Sequence, residues 1–191
     1  MDIVVTGYAG LEGSLWIYQD EYCRKKLLSR YPKSFFGVFE SMDLLTDRSE
    51  KLDTLYHEAA ARGLAADASE GGVLAALWRL MKDAHTGGTY AQRAIPVLQQ
   101  TIEVCEMFGL NPYRLYAPDC RVWLSEDTGS LAREAAPAGV PLRVIGFTSK
   151  GVAIKRTDTE ADSSLRRPET DELERFRKTV RQEHTDKLCG V

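Results

Sequence analysis

Short β-branched runs alternate with longer segments of helical period along this chain, and glycines mark many of the changeovers. That alternation constrains the fold most, because a strand and a helix each carry an apolar face that the other can bury. Ile3-Val4-Val5-Thr6 predicts a strand, with Gly7, Gly10 and Gly13 in the turn after it. Leu15, Tyr18, Tyr22 and Leu27, with Cys23 on a similar face, predict one helix from Ser14 to Arg30, ended by Tyr31-Pro32. Phe35, Phe36, Val38 and Phe39 form an apolar cluster suited to packing under a helix. Asp47-Arg48-Ser49-Glu50 reads as a capped helix start, Leu52, Leu55, Tyr56 and Ala59 as its buried face, and Gly63 as its stop.

Leu64 to Asp67 is a short apolar run that reads as a buried strand. Ser69 to Gly72 then turns into a helix carrying Leu74, Leu77, Trp78 and Met81. His85 to Gly88 is expected to be a loop and Tyr90 to Val97 extended. Leu98, Ile102, Cys105 and Phe108 mark a helix closed by Gly109 and Asn111-Pro112. Cys120 to Leu124 reads as a strand, and Ser130 to Ala138 as a helix. Leu142 to Phe147 and Val152 to Lys155 read as two strands of one hairpin. After a polar loop over 157–170, Thr170-Asp171-Glu172 caps a last helix through Phe176. The resulting order, β-α-α-β-α-β-α-β-α-β-β-α, is that of an α/β protein with a mixed sheet covered by helices. One domain over residues 1–177 and a polar tail over 178–191 are expected.

The 191 residues suffice for one domain with its own core. Net charge is −3 and the basic residues are dispersed, so no patch suited to nucleic acid stands out. No run approaches the length of a membrane span, and the first residues do not read as a signal peptide. The four cysteines, at 23, 105, 120 and 189, include no C-x-x-C pair and read as reduced thiols of a cytoplasmic protein. Neither they nor the histidines at 57, 85 and 184 have metal-ligand spacing, so no metal site is expected.

Two strand-to-helix junctions carry the chemistry that spacing can suggest. Asp67-Ala68-Ser69-Glu70-Gly71-Gly72 places small residues at a helix start, where exposed N–H groups suit phosphate or another anion. The plain alternative is a tight turn in which Asp67 or Ser69 caps the helix, and spacing alone favours it. Gly10, Glu12, Gly13 and Ser14 form a similar junction, where Glu12 could act as an acid, a base or a cation ligand. Its alternative is a turn with a surface carboxylate. Arg114 could bind an anion and Cys120 could be a nucleophile, although a small buried thiol is the better reading of Cys120. Cys105 and Trp78 read as core, His85 as a solvated loop histidine, and Arg166-Arg167 as a solvated pair. No catalytic residue is assigned.

Taken together, DIVVTGYAGLEGS, AADASEGGVLAALWRL, IPVLQQTIEVCEMFGLNPYRL, VPLRVIGFTSKGVAIKR and RPETDELERF follow the order found in C-terminal domains of the AIR-synthase-related (PurM/HypE-like) superfamily. The chain resembles the HypE-like hydrogenase maturation members of that superfamily over about residues 2–176. The resemblance implies a three-layer α/β/α domain with a mixed sheet. In such proteins an N-terminal half dimerises and holds Mg-ATP, and the C-terminal domain closes over it with glycine-rich backbone. Members transfer the γ-phosphate of ATP, and HypE-type ones dehydrate a carboxamide to a nitrile. The segment matching Ala65–Gly72 often reads Met-His-Asp-x-Thr-Glu-Gly-Gly; here Ala66 replaces the histidine and Ser69 the threonine, while Asp67, Glu70, Gly71 and Gly72 are kept. Near Ala117–Cys120, where relatives often carry a Ser-Gly-Gly-Ser-like turn, Pro118 removes a donor and Asp119 adds a negative charge. Nor does Cys189 match the terminal cysteine of HypE enzymes.

The resemblance therefore implies a stand-alone domain without the ATP-binding half, acting as a binding or assembly module. Its expected partners are a second copy or a protein supplying the missing half, with a small phosphorylated ligand around Gly10–Ser14 and Asp67–Gly72. A lone domain of this kind is expected to expose an apolar face. ATP and Mg²⁺ are expected only in the alternative, one half of a split ATP-dependent enzyme in which Asp67 and Glu12 make the polar contacts. A third reading is a sensor that binds nucleotide without turnover.

Overall fold

The structure, a computed structural model, describes residues 1–41, 50–159 and 163–179. The expected helix start at Asp47–Ser49, most of the tail, His184 and Cys189 lie outside the described residues.

The strands are β1 (Asp2–Thr6), β2 (Ala65–Ala68), β3 (Gly87–Tyr90), β4 (Ala117–Ser125), β5 (Leu142–Ser149), β6 (Ile154–Arg156) and β7 (Ser163–Ser164). The helices are α1 (Leu11–Gln19), α2 (Glu21–Leu28), α3 (Gly37–Glu40), α4 (Glu50–Ala61), α5 (Gly72–Asp83), α6 (Gln99–Phe108), α7 (Thr128–Ala135) and α8 over 172–179. All seven strands form one mixed sheet in the order β2-β4-β1-β5-β3-β6-β7. Among the described residues, only β3 and β6 pair in parallel.

The period-2 alternation of β1 divides the core. Ile3 and Val5 join Val73, Leu77, Leu80 and Met81 of α5 on one face. Val4 faces the other way, with Trp123, Leu52 of α4 and Leu131 and Ala135 of α7. These are the three layers, helix on sheet on helix, that the resemblance implies. A further apolar cluster is gathered by α1, α2, α6 and α8 around Phe36, which is fully buried beside Tyr18 and Phe39. Each such side chain contributes about 1.5–3 kcal/mol by leaving water.

Three expectations need correction. The single helix over Ser14–Arg30 is two, because Asp20 leaves the helical region (ψ 129°) and its carboxylate caps α2 by accepting the Cys23 N–H at 2.9 Å. The expected loop at Gly87-Gly88 is strand β3. The expected β5–β6 hairpin does not form, because β3 lies between the two strands. Glycine causes both outcomes: a Cβ on Gly88 would lie 2.6 Å from the Phe147 carbonyl oxygen, and one on Gly87 2.7 Å from that of Ala153. Pro118 is accommodated in β4, an interior strand next to the edge strand β2, by a bulge, since Asp67 pairs with Arg121 but Ala68 pairs with Ala117.

Among the described residues, cover on the α4/α7 face stops partway across the sheet. Val144 lies opposite Val4, and Phe147 opposite Asp2, so both point to that face. They are nevertheless 40% and 59% exposed.

Two glycines separate close packing from backbone conformation. A Cβ on Gly146 would lie 1.8 Å from the Thr89 carbonyl oxygen, whereas Gly63 (φ +69°) has open space around it. Gly146→Ala is expected to cost at least about 2 kcal/mol in urea unfolding, and Gly63→Ala about 1 kcal/mol from its left-handed backbone alone.

Candidate functional site

Both glycine-rich helix starts rest on the same strip of backbone, Asn111–Tyr116. At the first, a Cβ on Gly10 would lie 2.7 Å from the Pro112 carbonyl oxygen, and one on Gly13 2.5 Å from Leu115. The Gly13 N–H donates to the Tyr116 carbonyl at 2.9 Å. Ser14 is fully buried, its hydroxyl 2.8 Å from the Leu11 carbonyl oxygen and 2.9 Å from the Thr101 hydroxyl. The close approach that these residues permit is therefore to the chain's own backbone. Glu12 is half-buried, and its charge pushes the Cys120 thiol pKa up, second to burial itself.

At the second start, a Cβ on Gly72 would lie 2.6 Å from the Tyr113 carbonyl oxygen. Gly71 and Gly72 both take positive φ, 72° and 68°, where a side chain would be strained. Ser69, Glu70 and Gly71 line a cleft of about 450 Å³ together with Arg79, Tyr116, Asp171 and Arg177. The Gly71 N–H donates to Asp171 Oδ2 at 2.9 Å, and Asp171 Oδ1 accepts the Leu173 N–H at 2.8 Å. The N–H groups of Tyr116 and Glu174 also favour its charge, yet burial outweighs all of them and raises the Asp171 pKa above its ordinary 3.8. Sequence reading sees Asp171 only as the cap of a last helix. Its second contact, 100 residues away, leaves no local signal.

Asp67 is turned to its own chain. Its Oδ2 accepts from the Tyr56 hydroxyl at 2.8 Å and its Oδ1 from the Ser69 N–H at 2.9 Å. Burial raises its pKa, but these bonds and the Arg79 charge outweigh burial and bring it below the ordinary 3.8. Arg79 staples the turn, donating to the carbonyls of Glu70 at 2.7 Å and Asp67 at 3.2 Å. Tyr56 also stacks under the Arg121 guanidinium, 4.1 Å from its ring centre, and Arg121 pairs with Asp53 at 2.6 Å. Burial and the Asp67 bond push the Tyr56 pKa up to about 12.

The remaining sequence candidates do not join this cleft as reactive groups. Arg114 pairs with Glu169 at 2.9 Å. Cys105 and Cys120 are buried thiols, and burial pushes Cys105 up to about 12. His85 is exposed, in a left-handed conformation (φ 50°) just after α5. Among the described residues no cluster of His, Cys, Asp and Glu could hold a metal ion, and no helix is long and apolar enough to cross a membrane.

No protein-family model matches the sequence, and no curated protein matches it. Solved structures do match in fold. E. coli HypE, a hydrogenase maturation protein, superposes with a TM-score of 0.60 at 18% identity, over 92% of this chain and 52% of that one. HypE from a HypE–HypF complex gives 0.56 at 19% identity, over 85% and 51%. HypE in complex with ATP gives 0.55 at 14% identity, over 90% and 52%. This chain thus spans about half the length of the structures it matches. It shares its fold with about half of each of these HypE chains.

Tyr56→Phe removes one hydrogen bond to the Asp67 carboxylate. The expected loss is about 1 kcal/mol at pH 7, allowing for solvent screening. Because the folded pKa of Asp67 is lowered, its contribution is present above 3.8 and fades as pH falls below it. Urea titrations of both proteins should therefore converge in acid.

Proposed function

We propose that this domain is a binding and assembly module that docks another protein on the open half of its sheet. One observation carries the reading: Phe147 and Val144, 59% and 40% exposed, stand on a face whose other half is buried under α4 and α7. Thr89 lies beside Phe147 on β3, and Lys155 beside Thr89 on β6, so the apolar centre continues into a polar margin. An apolar sheet surface with such a margin is what a protein interface requires. The partner is a second copy or a chain supplying the rest of a HypE-like protein. A cytoplasmic setting fits the buried thiols Cys23, Cys105 and Cys120.

A second reading is half of an ATP-dependent enzyme, completed by a separate ATP-binding chain. What supports it is that the matched HypE chains are about twice as long as the part this chain covers, and that one of them was solved with ATP. In that role the residues around Asp67–Gly72 would face the other half.

Sedimentation velocity at micromolar concentration tests the docking surface. The wild-type chain is expected to self-associate or to bind a co-expressed partner half, and Phe147→Asp to remain monomeric with a melting temperature within about 2 °C of wild type. A wild-type monomer that also ignores such a half would overturn the reading.

A further inference from the structure

Resting on the reading of the open half-sheet as a docking surface, we propose that its occupant is a second copy of this chain, related by a two-fold axis that runs along β3. Register places Asp2, Phe147, Thr89, Lys155 and Ser164 in one row across β1, β5, β3, β6 and β7. Tyr90 and Ile154 belong to the core on the α5 face, so their neighbours Thr89 and Lys155 point the opposite way, as Phe147 does. Lys155 is exposed, like Phe147. Adjacent strands lie about 4.8 Å apart, so Phe147 and Lys155 stand at equal distances on either side of Thr89.

That symmetry makes the face complementary to itself. A two-fold axis along β3 sets Thr89 against its counterpart and carries each Phe147 ring over the Lys155 of the other copy. The ammonium then meets an aromatic ring, which attracts it, and the Asp2 carboxylate lies one strand further on. The two lysines stay on opposite sides of the axis. Two residues along from Thr89 and Phe147, Gly87 pairs with Ser149. These small residues keep the centre of the face low, so two sheets can approach to their usual separation of about 10 Å. The helices fit the same operation. α7 stands over β1, where the Thr128 hydroxyl donates to Asp2 at 2.7 Å and Leu131 shares a cluster with Val4. β1 lies two strands from β3 on one side, and β7 two strands from it on the other. The axis therefore brings α7 of each copy over the edge strand β7 of its partner, where it shields that edge and leaves β5, β3 and β6 free to meet. A second copy supplies every one of these complements from the same few residues.

The test is sedimentation velocity of the full chain over a micromolar concentration series, with circular dichroism to check that each variant is folded. Wild type is expected to dimerise. Lys155→Glu removes both cation–ring contacts of the symmetric pair and is expected to raise the dissociation constant roughly tenfold. Phe147→Lys sets lysine against lysine and is expected to leave a monomer. The double variant Phe147→Lys/Lys155→Phe exchanges the two side chains, restores both contacts across the axis, and is expected to dimerise again. A wild-type dimer that the single variants leave intact, or that the exchange does not restore, overturns the two-fold pairing. A wild type that stays monomeric yet binds a separately expressed missing half overturns the second copy as occupant and leaves the docking surface standing. A wild type that does neither overturns both.

Discussion

Tyr116 offers its carbonyl to Gly13 at the start of α1, and beside it Asp171 accepts from Leu173 at the start of α8 and from Gly71 at the start of α5. Three helices therefore depend on a few hydrogen bonds made by one strip of backbone. The arrangement demands glycine, because at Gly10 and Gly72 a Cβ would approach that strip within 2.6 to 2.7 Å, and at Gly13 it would lie 2.5 Å from the Leu115 side chain. Helix N-termini carry unsatisfied donors and a partial positive charge. In this protein those donors meet a carbonyl or a carboxylate of the same chain, so each helix start is tied into the tertiary structure.

That economy explains which parts of the molecule were legible in its sequence. Leu74, Leu77, Leu80 and Met81 announce α5 by their spacing, and Ile3, Val4 and Val5 announce β1, because burial imposes a local period. The mixed sheet covered by helices follows from the order of such elements; the three layers are what the resemblance implies. Gly87-Gly88 looks like a loop for the same reason that it works as a strand: without side chains it has no period, yet it lets β3 slide between β5 and β6. The break at Asp20 is hidden because the apolar spacing continues through it. Asp171 is hidden more deeply, since its role rests on a contact that spans 100 residues.

The two glycine-rich starts were legible as special places, but not in what they touch. A turn with glycines at a helix N-terminus signals close approach, and the sequence does not say of what. At Gly10–Ser14 the answer is backbone and the buried Thr101 hydroxyl. At Asp67–Gly72 it is partly backbone and partly an acid from the end of the chain. Likeness to HypE at 14–19% identity establishes a shared fold; it does not carry an active site across, since one fold hosts many functions.

Two aspartates at one helix start show how placement sets their different tasks. Asp67 receives a phenolic O–H and a backbone N–H, is near Arg79, and has a pKa held below the usual range. Removing its charge would loosen α4 from β2, because Tyr56 belongs to the one and Asp67 to the other. Asp171 receives backbone N–H groups alone, lines a cleft with three glutamates, and is pressed upward by burial. A carboxylate kept charged by its partners is a tether. One helix start thus carries one acid that its partners keep charged and another that burial works against.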